Sequence, residues 1–380
     1  MLQPENTEDK SALLCLPDDA LILILGYLDR RTQLMLTQMH IRFLTIMPNI
    51  WRSKYRSSCL SMIDDVFNSE KDFRYFMGSL QSTLNVLQMD LLFRPIFKIL
   101  TSFVFPKVHD FQISSHPLHL DDTDMPSIIR SFPNLRTFAP HGRFSGKYFE
   151  GFHRLENLIL THCTSFEVSY LIRILRICRL KTLKLGVFER SQIRDTDLPL
   201  DGTQSLEVLQ CNASEMNGWF LEKLKNFTQL KQLSLLDQFD NSFLQKVVVA
   251  ANRSQFKSLE VNSQHALSTL LLSNYIQFEA LKVCNVIISM NDEVLCFKNV
   301  KEIYLLQCNF LTNANFRFLM SLKSTEIVAI AECTFHFNKY TFVAKDNAQG
   351  RSKRLNLHLD PDMITYRTHP ASLYDYFLYI

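Results

Sequence analysis

The chain has 380 residues, 47% of them hydrophobic, and its 41 Lys and Arg against 38 Asp and Glu leave a formal charge of +3. That length suggests two or three units with enough apolar residue for a large core, and the charge balance carries no signal of nucleic-acid or anionic-membrane binding. The 30 Phe favour stacked aromatic packing, while only 9 Gly argue against glycine-rich phosphate loops and flexible linkers.

Residues 1–13 open with MLQPENTEDK, a polar, acidic stretch with no secretory pattern, and read as a short disordered lead. The longest apolar run is about seven residues, far short of the roughly 18 needed to cross a bilayer. The expectation is a soluble, intracellular protein, cytoplasmic and/or nuclear, with neither nucleic acid nor membrane as partner.

Residues 14–55 read as a helical module. Leu16-Pro17 precede Asp18 and Asp19, which can cap a helix by accepting from its free N–H groups. Leu21, Ile24, Leu25 and Leu28 follow at the spacing of one apolar helical face. Ile22, Leu23 and Tyr27 lie off that face, so the helix is apolar nearly all round. A second helix carries Leu34, Leu36 and Met39, and a third segment carries Phe43, Pro48, Ile50 and Trp51. A segment of about 40 residues cannot bury every face of such a helix alone, so the module is expected to meet a partner. Residues 56–82 form a connecting helix or N-terminal cap, with Phe73, Phe76, Met77 and Leu80 on one face.

From 83 to 360 a repeat takes over: Leu-x-x-Leu-x-Leu, sometimes followed by x-x-Cys. Its clearest copies run from Leu155 to Cys163 and from Val300 to Cys308. Others start at Leu180, Leu206, Leu230, Phe256 and Phe278, and weaker ones at Leu84, Val108, Leu135, Thr325 and Arg354. About twelve copies with a mean period of about 24.5 residues fit the leucine-rich repeat. Between copies the pattern turns helical over 165–178, 217–227, 241–252 and 313–322, each opening on a capping Ser or Asn. The expected fold is α/β: an N-terminal helical module, then a curved leucine-rich-repeat solenoid with parallel strands on the concave side and helices on the convex side. Cys163, Cys308 and Cys333 fall at the turn after a strand and read as structural. Residues 361–380, with five aromatics, serve either as a C-terminal cap or as a tail that enters the groove.

No nucleophile elbow, phosphate loop, dinucleotide fingerprint or zinc-protease motif is present. The 9 Cys form no C-x-x-C pair and no set at zinc spacing. No catalytic residue, metal site or cofactor is expected, and the protein is not expected to be an enzyme. The informative positions lie between the strand leucines, pointing out of the concave face. Asn157, Thr161, Thr182, Lys184, Gln210, Gln232, Glu260 and Tyr304 are the substrate-binding candidates, and Ser234 shares the pattern. The face is mostly uncharged and polar. It lacks the Arg cluster that grips a phosphorylated peptide, and it suits a protein surface or peptide.

The Leu16-Pro17 pair, the acidic residues after it, the Ile24-Leu25-x-x-Leu28 helix and the closing Ile50-Trp51 resemble the F-box of SCF (Skp–cullin–F-box) ubiquitin ligase receptors, over roughly the first 55 residues. Met39-His40 stands where Val-Cys is usual, Phe43 replaces a tryptophan, and the span from Phe43 to Trp51 is short. The resemblance implies that Leu16, Pro17, Leu21, Ile24, Leu25, Leu28 and Trp51 form the adaptor-binding set, with Leu34, Met39, Phe43 and Trp51 packing the helices. It further implies a substrate-recognition subunit whose partners are the Skp adaptor, through it a cullin–RING core, and a protein substrate held by the repeats. The alternatives are a scaffold that uses the adaptor outside a ligase, and a ligand-gated receptor.

Overall fold

The computed structural model describes residues 12–56, 60–63, 67, 69–90, 93–114, 120–186, 200–212, 227–236, 247, 258–262, 264, 279–288, 300–310, 327–331, 333–335 and 354–357. The fold is α/β: an N-terminal helical region followed by parallel strands. Two compact units divide the chain, Met1–Tyr170 and Leu171–Ile380.

The first unit begins with three helices, α1 (Asp18–Gly26), α2 (Arg30–Met39) and α3 (Ile41–Lys54). The aspartates expected to cap α1 instead occupy its first turn; Pro17 holds the cap position and no side chain closes it. They still favour the helix, since carboxylates offset the positive end of its dipole. Asp29 caps α2 by accepting from the Thr32 amide at 2.9 Å and from the Thr32 hydroxyl at 2.6 Å, and these two contacts, the hydroxyl's first, hold its carboxyl below the usual range. His40 caps α3 by accepting from the Arg42 amide through Nδ1.

Pro48 sits inside α3, where it has no N–H to give the carbonyl of Leu44. The hydroxyl of Tyr75 donates to that carbonyl instead. Tyr75 belongs to α4 (Glu70–Leu80), capped by Ser69, and burial pushes its hydroxyl up to about 12, which keeps it a donor. Trp51 packs edge-on against Phe76 of α4 at 4.8 Å, so α3 and α4 share one aromatic core. Phe73, Phe76, Met77 and Leu80 are all fully buried, as their common face predicts.

The strands of this unit are β1 (Leu60–Ile63), β2 (Val86–Asp90), β3 (Asp110–Ser114), β4 (Thr137–Ala139) and β5 (Asn157–Leu160). Each pairs in parallel with the next. Two short helices intervene, α5 (Arg94–Leu100) and α6 (Met125–Ser131), both with Pro in the first turn, where its missing N–H costs nothing. β2 to β5 begin two residues after the copy starts at Leu84, Val108, Leu135 and Leu155, whereas β1 has no copy in the sequence. Strand residues alternate between half-buried and buried, as a sheet with one packed face requires. Beneath them lies a run of phenylalanines: Phe111 meets Phe132 at 4.2 Å, Phe138 meets Phe152 at 5.1 Å, and Phe149 meets Phe166 at 5.4 Å. The many Phe of the sequence are spent here on offset and edge-on ring packing.

α7 (Val168–Ile177) spans the boundary between the units, shorter than the 165–178 expected. The second unit contains β6 (Thr182–Leu185), α8 (Leu200–Thr203), β7 (Val208–Asn212), β8 (Gln232–Leu236), β9 (Ser258–Val261), β10 (Ala280–Cys284), β12 (Glu302–Leu306), β14 (Ile327–Ala331) and β16 (Arg354–Leu357). These strands too pair in parallel, each with its successor. A second, smaller parallel sheet joins β11 (Ile287–Ile288), β13 (Asn309–Phe310) and β15 (Thr334–Phe335). Asn285 and Gln307 adopt the left-handed conformation, φ 55 and 54°, at the two corners that lead from β10 into β11 and from β12 into β13. The tail 361–380 and almost all of the expected helices 217–227, 241–252 and 313–322 lie outside the described residues. No helix among the described residues is long and apolar enough to cross a membrane.

Candidate functional site

Two regions carry the expected site residues. In the helical region, three of the residues expected at an adaptor surface lie inside instead: Leu21, Leu25 and Trp51 are 0%, 1% and 0% exposed. A polar relay fixes them. Gln33, itself buried, donates through Nε2 to the Leu25 carbonyl near the end of α1 and accepts from Trp51 Nε1, both at 2.8 Å. A buried indole N–H without such a partner would cost about 1–3 kcal/mol, so Trp51 belongs to the core that joins α1, α2 and α3. The residues facing out are Pro17, Leu23, Ile24 and Tyr27, with Leu16 and Leu28 half-buried. Met39, expected in the packing, is 73% exposed, and Met35 and Ile41 are exposed beside it in sequence. Of the eleven exposed large hydrophobic residues described in the chain, six fall between Leu23 and Ile41. The segment before α1 is held by Arg42, which donates to the carbonyls of Leu14 and Leu16 and pairs with Asp18 at 2.6 Å.

The second region is the strand face that carries the candidate substrate residues. In the first unit Asp110, Thr137 and Asn157 align across β3, β4 and β5. Asn157 Nδ2 donates to Thr137 Oγ1 at 3.0 Å, and burial pushes the Asp110 carboxyl up, against a hydrogen bond from Gln112. Thr161 is half-buried just past β5, where the rings of His141 and His162 stack at 4.9 Å.

In the second unit the register aligns Lys184, Gln210, Ser234, Glu260, Lys282 and Tyr304 in one row across β6 to β12. Beside it runs Thr182, Val208, Gln232, Ser258, Ala280 and Glu302. Every candidate expected in this unit therefore falls on one face. That face is less open than the sequence suggests: Ser234 and Tyr304 are 1% and 2% exposed, and Gln232 is 7%. Lys282, absent from the expected set, pairs with Glu260 at 3.2 Å, each side chain only 12% exposed. Glu260 also accepts from Gln232 at 3.5 Å, and Tyr304 donates to Glu302 at 2.9 Å. Loss of water lowers the Lys184 ammonium below its ordinary value; the Lys282 charge adds to this and Glu260 opposes it. Ser234 Oγ is buried with no hydrogen-bond partner. The signal for Lys282 was in the sequence, because the copy Phe278–Val283 puts it in the same repeat position as Glu260.

The strand-end thiols are sealed. Cys163 Sγ reaches the Pro140 carbonyl at 3.3 Å and Cys308 Sγ the Val283 carbonyl at 3.4 Å, each in the preceding repeat. Burial pushes the Cys163 thiol up to about 12. Among the described residues no group of His, Cys, Asp and Glu could hold a metal ion. No protein-family model matches the chain, and no curated protein matches it.

Proposed function

We propose that this chain is an F-box/leucine-rich-repeat protein, the substrate-recognition subunit of an SCF-type ubiquitin ligase. The observation that carries the reading is the concentration of exposed apolar residues on the N-terminal helices, with Leu23 and Ile24 of α1 at 64% and 43% exposed and Tyr27, which closes its C-terminal end, at 85%, behind an anchored Leu16-Pro17. Elsewhere the large apolar side chains described are mostly buried, and a helix that leaves such residues in water is built to be covered. In this reading the Skp adaptor covers them. Leu21, Leu25 and Trp51 hold the helices in the presenting geometry without touching the adaptor. The parallel strands form a curved solenoid whose concave face, the rows around Lys184 and Gln232, holds a protein substrate. The protein supplies no reacting group; it raises the effective concentration and orientation of substrate lysines before the charged conjugating enzyme.

The test is capture of adaptor and cullin by the wild-type chain beside a Leu16→Ala, Pro17→Ala variant. Recovery of both partners by the wild type and neither by the variant supports the receptor. Adaptor without cullin would make it a scaffold outside the ligase, and neither partner with either chain would leave a repeat protein without an F-box function.

A further inference from the structure

On the strand face of the first unit, the residues of β2 to β5 that alternate with the buried ones include two charged side chains, Asp90 and Asp110, both acidic. The sequence of β1, Leu-Ser-Met-Ile, adds no charge. The rim one residue before the strands adds His109 and the pair Arg136–Glu156, which closes on itself at 3.6 Å. Asp90 is exposed, whereas Asp110 is half-buried at the start of β3, in one row with Val86, Thr137 and Asn157. Among the described residues Asp110 accepts one side-chain hydrogen bond, from Gln112 Nε2 at 3.3 Å. That bond is long and its donor neutral, and a carboxylate has about four acceptor sites to fill. Burial pushes the Asp110 carboxyl up, against the Gln112 bond and the one charged group that acts on it, His109. A carboxylate withdrawn from water with so little compensation is relieved by an incoming cation.

We propose that Asp110 receives one basic side chain, Lys or Arg, of a peptide segment laid across β2 to β5; the inference rests on the reading of the strand face as the substrate surface and extends it to the first unit. A divalent cation is a poorer match. It asks for six or more oxygen ligands, and no group of described residues here could hold a metal ion. The neighbouring row points to a peptide as the source of the cation. Gln88 and Gln112 lie side by side there, both half-buried, and their carboxamides offer donors and acceptors suited to peptide backbone.

The experiment uses the full chain, immobilised, and four pools of synthetic dodecapeptides. The pools are random except for one central residue, fixed as Lys, Arg, Gln or Glu. The Lys and Arg pools are expected to be retained about tenfold more than the Gln pool, the effect of one charge-assisted contact, and the Glu pool less than any. Asp110→Asn should bring the basic pools down to the Gln level without lowering the melting temperature, since the amide spares a half-buried charge. Asp110→Glu should keep part of the difference. Asp90→Asn removes the same charge from an exposed position of the same face and should leave most of the preference, because water and salt screen it there. Equal retention of basic and Gln pools by the wild type, indifference to Asp110→Asn, or an equal loss in Asp90→Asn would overturn the proposal. Adaptor capture on the same preparations separates the two readings: adaptor bound with no preference for basic peptides defeats only the Asp110 site, and that preference without adaptor defeats only the ligase receptor.

Discussion

Pro48 breaks one hydrogen bond of α3, and a residue 27 positions later repairs it. Because Tyr75 supplies the donor that the helix lacks, Tyr75→Phe should leave the Leu44 carbonyl wanting and cost about 1 kcal/mol, read as a lowered denaturation midpoint with unchanged slope. A loss no larger than that of a control such as Ser53→Ala would show the contact to be idle. Lys184 gives a pH signature. Its native value is depressed below 10.5, so between that value and 10.5 the unfolded chain binds more protons than the native one. Stability contributed at this site therefore rises with pH across that interval. Lys184→Met removes the buried charge, and it should stabilise the protein most at neutral pH, by about 1 kcal/mol, with the advantage shrinking as pH approaches 10.5. Paired melting curves of wild type and variant from pH 7 upward check the sign. A constant or growing difference contradicts it.

At the scale of elements, the repeat pattern located strands because a parallel strand with one buried face writes its leucines at fixed intervals. Leu158 and Leu160, Leu183 and Leu185, Leu233 and Leu235 are each buried on that face. β1 was invisible for the same reason: Leu-Ser-Met-Ile has alternation but no leading Leu-x-x. The face of α1 that turns inward could not be read either. A helix apolar all round offers several equivalent stripes, and the choice of Leu21 and Leu25 over Leu23 and Ile24 is made by α3 and by the Gln33 relay, which join residues distant in sequence. Trp51 illustrates the ambiguity of a large aromatic, which serves a core as readily as an interface until its N–H finds a partner. The thiols at strand ends were legible as structural, since a small polarizable side chain there reaches a carbonyl of the preceding repeat. Of the described cysteines only Cys15 is exposed. A thiol reagent at pH 8 should label Cys15 within the native protein and reach Cys163 and Cys178 only on unfolding, because burial pushes these two up to about 12 and 11 and leaves little thiolate. Equal labelling of Cys15 and Cys163, seen by peptide mass mapping, would contradict the sealed turn.

On the scale of the molecule, the helical region is not an independent bead. Trp51 on α3 and Phe76 on α4 share a core, and Gln38 of α2 donates to both oxygens of Asp72 at 3.0 Å. Substitution of Leu25 should therefore unsettle the first unit, whereas changes at Leu23, Ile24 or Tyr27 should leave it folded. That contrast makes the exposed face of α1 testable apart from stability. The proposed docking of a Skp adaptor on this face is tested by calorimetric titration of purified adaptor onto the purified full chain, wild type beside an Ile24→Asp, Tyr27→Ala variant of unchanged melting temperature. The wild type should bind at about 1 μM or tighter and the variant should lose about a hundredfold, near 2.7 kcal/mol. No binding by the wild type, or equal binding by both chains, would contradict it.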